Sequence, residues 1–161
     1  MAQKRTALTS EEKSTLDQLL EPILEPAVFH LGSEDHHVKR YDKRQQMYGG
    51  EGTVYLLQMF EEGELVNNRI GAFMVLPTSG DSCGFHTHGT RNEQEIYLVM
   101  SGKGEYLEKD EWESPARSYP IQKGNLTTVR GEAFHAVQNT GDEPLVIFVI
   151  TTNEPDDSSS K

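Results

Sequence analysis

With 161 residues, 26 of them acidic and 15 basic, the chain carries a formal charge of −11 at neutral pH, a balance that repels nucleic acid and anionic membrane surfaces at long range. The length suits one domain with its own core. No run approaches the roughly 20 apolar residues that span a bilayer, the start Met1-Ala2-Gln3-Lys4-Arg5 opens no signal-peptide core, and the single Cys83 excludes an internal disulfide. The expectation is a cytoplasmic protein that binds neither nucleic acid nor membrane.

Taken in chain order, Thr9 and Glu12 stand at capping-box spacing, and Leu16, Leu19, Leu20, Ile23 and Leu24 follow helical periodicity. This predicts a short N-terminal helix ended by Pro22 and Pro26. Between Phe29 and Gly50 the chain is polar and shows no period, so it receives no assignment. From Thr53 the texture becomes short and β-rich: Thr53 to Leu57, Ile70 to Leu76, Ile96 to Met100, Glu105 to Leu107 and Leu145 to Ile150. Turn signals separate these runs at Glu62-Gly63, Asn67-Asn68 and Ser101-Gly102-Lys103-Gly104. The pattern predicts an all-β sandwich or barrel, in which closure removes exposed strand edges. The domain reading is a helix and extension over 1–50 that packs on a barrel, the barrel itself over 51–153, and a frayed tail over 154–161.

The stretch from Gly80 to His88, followed by Glu93 and Glu95, carries the chemistry. Residues two apart on a strand share a face, so His86 and His88 present two imidazoles to one point if their segment is extended. Glu95, Tyr97 and Val99 likewise share a face on the next strand, which is expected to return antiparallel beside the histidines. A third imidazole comes from His135 if its strand lies alongside in a closed barrel. Neutral imidazoles with one carboxylate suit a single divalent transition metal (Fe, Mn, Ni, Zn, Co or Cu) better than calcium or magnesium.

Gly80, His86, His88, a glutamate and Gly102 resemble the first motif of the cupin superfamily, and Gly124, His135 and Asn139 resemble the second. Glu93 satisfies the motif's gap after His88, and Glu95 satisfies the gap before Gly102. Glu95 is favoured as the ligand because it begins a strand, with Glu93 the alternative. Arg130 and Glu132 replace the usual proline and second glycine of the second motif. The resemblance implies a double-stranded β-barrel of six to eight strands with the metal inside, and a homodimer.

Other residues are weighed against plainer roles. His30, His36 and His37 read as solvated loop residues, Cys83 as a small buried apolar residue, and Gly102, Gly124 and Asn139 as scaffold. Tyr97 either orients substrate or packs the barrel. For the whole chain, the reading is a metal-dependent enzyme acting on a small polar metabolite. Lewis-acid activation of a hydroxy-carbonyl or carboxylate compound, for instance a sugar or sugar acid, supports isomerase, epimerase or lyase chemistry. Two alternatives stand beside it: a non-haem iron dioxygenase, and a non-catalytic module that binds a small ligand.

Overall fold

A computed structural model describes residues 4–24, 38–61, 64, 70–89, 93–129 and 131–153. Among the described residues, eleven strands fall into two sheets. The larger runs β1(Lys4–Thr6), β2(Arg40–Gln45), β3(Thr53–Gln58), β4(Gly71–Leu76), β11(Leu145–Asn153), β6(Glu93–Ser101) and β9(Leu126–Thr128) from edge to edge. The smaller is ordered β5(Ser82–His86), β10(Phe134–Asn139), β7(Lys103–Lys109), β8(Arg117–Gln122). This is the all-β, double-stranded barrel that the motifs imply. The strand total exceeds six to eight, and β1 and β2 from the N-terminal segment account for two of the extra strands.

The helix α1(Ser10–Leu24) starts as its sequence directs. The Thr9 hydroxyl accepts from the Glu12 N–H at 3.1 Å while the Glu12 carboxylate accepts from the Thr9 N–H at 2.8 Å, a reciprocal cap that satisfies two otherwise orphaned donors. The helix continues two residues past Pro22, where sequence reading placed a stop. A proline in the last turn removes one hydrogen bond without ending the coil; Pro26 lies outside the described residues, as do His30, His36, His37, Arg130 and the tail.

Alternation along the strands divides the apolar residues between two cores. Leu16 and Leu20 of α1 pack on the outer face of the large sheet against Tyr55, Leu57, Phe73 and Val75. The opposite face points into the barrel, where Val54, Leu56, Met74, Val99, Val137 and Ile147 form the inner core. Each of β3, β4 and β11 therefore carries apolar residues on both faces, which explains why Gly71–Leu76 is buried throughout. No described helix is long and apolar enough to cross a membrane.

Candidate metal centre

Three elements bring the histidines and glutamate together. β5 ends at His86, and β10 runs antiparallel to it with His135 directly opposite His86, so these two side chains enter the barrel side by side. His88 follows β5 in a loop. Glu95 comes from the other sheet: β6 pairs with β11 and β9, not with β5. Sequence reading expected β6 to return beside the histidine strand. Instead the chain crosses between sheets after His88, and Glu95 reaches the histidines across the barrel interior. On β6 the buried face is Glu95, Tyr97 and Val99, the set that alternation predicts.

All four side chains are buried. The Glu95 carboxylate oxygen lies 3.2 Å from His88 Nε2, 3.3 Å from His135 Nε2 and 3.7 Å from His86 Nε2, and the Nε2 atoms of His86 and His135 are 3.1 Å apart. Each imidazole is held from behind through its other nitrogen. His86 Nδ1 meets the Gly84 carbonyl at 2.9 Å, His88 Nδ1 meets a Glu93 carboxylate oxygen at 3.2 Å, and His135 Nδ1 meets the Tyr106 hydroxyl at 3.4 Å. A carbonyl or carboxylate on Nδ1 calls for N–H there and leaves the Nε2 lone pair for the interior.

This donor set fits a divalent transition metal. Donors bound at about 2.0–2.2 Å and about 90° apart around one ion sit roughly 3 Å from each other, close to the spacings seen here. Burial and the contacts within the cluster set its ionisation. Burial works against the Glu95 charge, yet hydrogen bonds from His135, His86 and His88 outweigh it and hold the carboxyl well below its usual range. Burial, with the neighbouring His86 and His88, lowers His135 to about 4 against the pull of Glu95. His86 is raised to about 9, because Cys83 and Glu95 outweigh the burial that opposes its charge.

Glu93, the alternative ligand, lies instead behind His88, on the nitrogen that faces away from Glu95. Tyr97 is 2 % exposed and belongs to the inner core, yet it also lines a cavity beside His86 and Glu95. Burial and the adjacent Glu95 charge push its pKa well above the ordinary tyrosine value, so its hydroxyl keeps its proton. Cys83 is buried in the inner core with Sγ 3.9 Å from His86 Nδ1 and is outside the four-residue cluster. Asn139 donates to the Leu76 and Glu143 carbonyls and accepts from the Gly141 N–H, each at 2.9 Å, a scaffold role.

Sequence reading missed the wall supplied by residues 40–50. Tyr48 stacks on His86 with ring centroids 4.1 Å apart and planes 16° from parallel. It is carried by a 3-10 turn, Met47–Gly49; Gln46, just before the turn, and Tyr48, within it, have φ of 49° and 52°, an uncommon conformation for residues with a side chain. The turn sits directly on β5: a Cβ at Gly50 would lie 2.3 Å from the Ser82 carbonyl oxygen, and one at Gly84 would lie 2.4 Å from that of Tyr48. The available signal was Gly49-Gly50-Glu51-Gly52, a glycine cluster that permits such close backbone approach. Arg44 and Met47 line the same cavity.

Comparison with known proteins agrees with this architecture. Residues 72–151 match the family model described as cupin domain. Over 65 residues the chain is 35% identical to glucose-6-phosphate isomerase of Pyrococcus horikoshii; the match covers 40% of this chain and 34% of that enzyme, so it spans about a third of the isomerase's length. Among solved structures, a predicted oxalate decarboxylase from Thermotoga maritima has a TM-score of 0.64 at 23% identity, covering 74% of this chain and 99% of that one. Bacillus subtilis oxalate decarboxylase, described with Mn(II) centres, has a TM-score of 0.51 at 26% identity, covering 66% of this chain and 27% of that chain. The Thermotoga likeness is one of fold.

Proposed function

The chain belongs to the cupin superfamily, and from that premise we propose that it is a divalent-metal-dependent enzyme acting on a small hydroxy-carbonyl or carboxylate compound by isomerase or lyase-type chemistry, with His86, His88, Glu95 and His135 holding the ion. The observation that carries the proposal is the common orientation of the centre. Three buried imidazoles are engaged through Nδ1, and their Nε2 atoms and one ionised carboxylate face a single point beside a cavity. Resemblances to an isomerase and to an oxalate decarboxylase described with Mn(II) centres support isomerase or lyase-type chemistry and favour manganese among the candidate metals.

When bound, such an ion supplies Lewis acidity that draws electron density from a carbonyl or carboxylate oxygen. The remaining work falls to the protein. Gly84, Glu93 and Tyr106 fix the imidazole orientations, so little reorganisation is left for the moment of reaction. Tyr48 lies flat on His86 and, with the apolar side chains Leu56 and Met74, keeps bulk water from that side. Tyr97 keeps its hydroxyl protonated beside Glu95 and lines the cavity, which suits it to orient substrate as a donor rather than to act as a base. The same proposal has the chain working as a homodimer, on the family resemblance alone.

The test is turnover by chelator-treated protein, before and after reconstitution with manganese, iron, nickel or zinc, on a panel of small hydroxy acids, oxo acids and aldoses, in air and under strict anaerobiosis. Metal-dependent turnover that persists without oxygen is the expected result. Turnover indifferent to chelation contradicts the proposal, and loss under anaerobiosis replaces it with a dioxygenase.

A further inference from the structure

We propose that the uncharged outer face of β11, β6 and β9 is the surface through which two copies of this chain associate about a two-fold axis. This rests on the homodimer reading given above and deepens it by naming the surface; it is independent of the metal.

Alternation places the face. Glu95, Tyr97 and Val99 of β6 and Ile147 and Val149 of β11 are buried on the barrel side, so the residues between them point outward. The registers then set Leu98 beside Phe148 and Ile96 beside Ile150, with Leu126 of β9 on the far side of Leu98. This patch continues the outer core. Phe148 packs on Phe73 with ring centroids 5.0 Å apart, and Phe73 lies with Leu16 and Leu20 beneath α1. Ile96, Leu98, Leu126 and Ile150 belong to neither core cluster, and Leu126 and Ile150 are 67% and 38% exposed.

Charge selects the partner. A quarter of the chain is charged (25%), yet no outward residue on these three strands is, and the neutral Gln94, Thr128 and Thr152 close the patch at one end. Two copies that each carry −11 repel wherever charged faces meet. An uncharged face is where that repulsion is least. A two-fold axis through the patch sets each apolar row against the same row of the other copy, so the surface is its own complement. Sheets stack in this way about 10 Å apart, with strand directions within about 30° of each other.

The dimensions agree. With strands about 4.8 Å apart and about 3.3 Å of rise per residue, the patch measures on the order of 15 by 20 Å. That suits the dry centre of a standard interface of about 800 Å² per partner, whose rim is polar.

Sedimentation velocity of the full chain at tens of micromolar reads the assembly directly. The variants are Leu126→Glu and the double variant Leu126→Glu/Ile150→Glu, which brings like charges together across the axis. The control is Trp112→Glu, at a residue 57% exposed in the connection between β7 and β8 of the other sheet. Thermal melts check folding, and Leu126→Ser repeats the test at one exposed position if the double variant melts early. Wild type is expected to sediment as a dimer, its affinity falling about tenfold or more in Leu126→Glu and further in the double variant, with Trp112→Glu unchanged. A monomeric wild type overturns the homodimer and its interface together. A dimer that the Leu126 and Ile150 variants leave intact, or that Trp112→Glu disrupts, overturns the interface and leaves the homodimer standing.

Discussion

The choice between Glu93 and Glu95 shows what residue spacing can and cannot decide. Both fit part of the motif, and the sequence favours Glu95 only because it belongs to a strand. In the structure the two carboxylates take different stations, Glu95 facing three Nε2 atoms and Glu93 on the far nitrogen of His88. Both belong to β6 and, two residues apart, share one face of the strand, so no local pattern distinguishes them. A carboxylate behind a metal-binding imidazole raises its basicity and fixes its ring. We therefore expect Glu93→Ala to keep the fold and weaken metal affinity about 10–100-fold, measured by competition with a chelating dye; affinity within twofold of wild type would remove Glu93 from the account. Tyr48 makes the complementary point. Its stacking on His86 depends on a left-handed backbone and on glycines at 50 and 84, a tertiary approach that hydrophobic periodicity does not report.

At the scale of elements, α1 and the inward face of β6 were legible because each obeys a local rule, capping in one case and alternation in the other. The pairing of β5 with β10 was expected only conditionally, and the separation of β6 from β5 was not anticipated, since partner choice in a two-sheet barrel is set by crossovers rather than by strand sequence. Two experiments belong here. Leu20 is 1% exposed beneath α1, and Leu20→Ala should destabilise the protein by about 2–4 kcal/mol in denaturant melts, since it leaves a cavity against the outer core. A loss below about 0.5 kcal/mol would mean that the helix packs loosely. Glu12 is the electrostatic link between helix and sheet: Lys43 first, then Tyr55 and the Thr9 N–H, lower its pKa from 4.5 to about 2. A lowered folded-state value stabilises the fold above pH 4.5 and loses that contribution as pH falls toward about 2. Glu12→Gln should cost on the order of 1 kcal/mol at pH 7, with the gap from wild type closing between pH 4.5 and about 2. A gap independent of pH would contradict the assignment.

For the molecule as a whole, the two sheets divide the labour. The small sheet and the loop that follows β5 contribute the histidines, and the large sheet contributes Glu95 and the cavity wall. The N-terminal residues bury the outer face with α1 and then enter the large sheet as β2, bringing Arg44, Met47 and Tyr48 to the site. Sequence reading took this segment for an extension packed on the barrel, because a polar stretch with two arginines, an aspartate and a lysine lacks the alternation that marks a strand. Those charges are there because one face of β2 meets the helix carboxylates and the other meets the cavity. The central claim is that His86, His88, Glu95 and His135 together hold one metal ion. Elemental analysis of protein purified without chelator or added metal, beside a His86→Ala/His135→Ala double variant of confirmed fold, tests it most directly. About one equivalent of a transition metal is expected in wild type, with near-complete loss in the variant. Retention of wild-type stoichiometry in the variant, or no metal in wild type even after reconstitution, would contradict it.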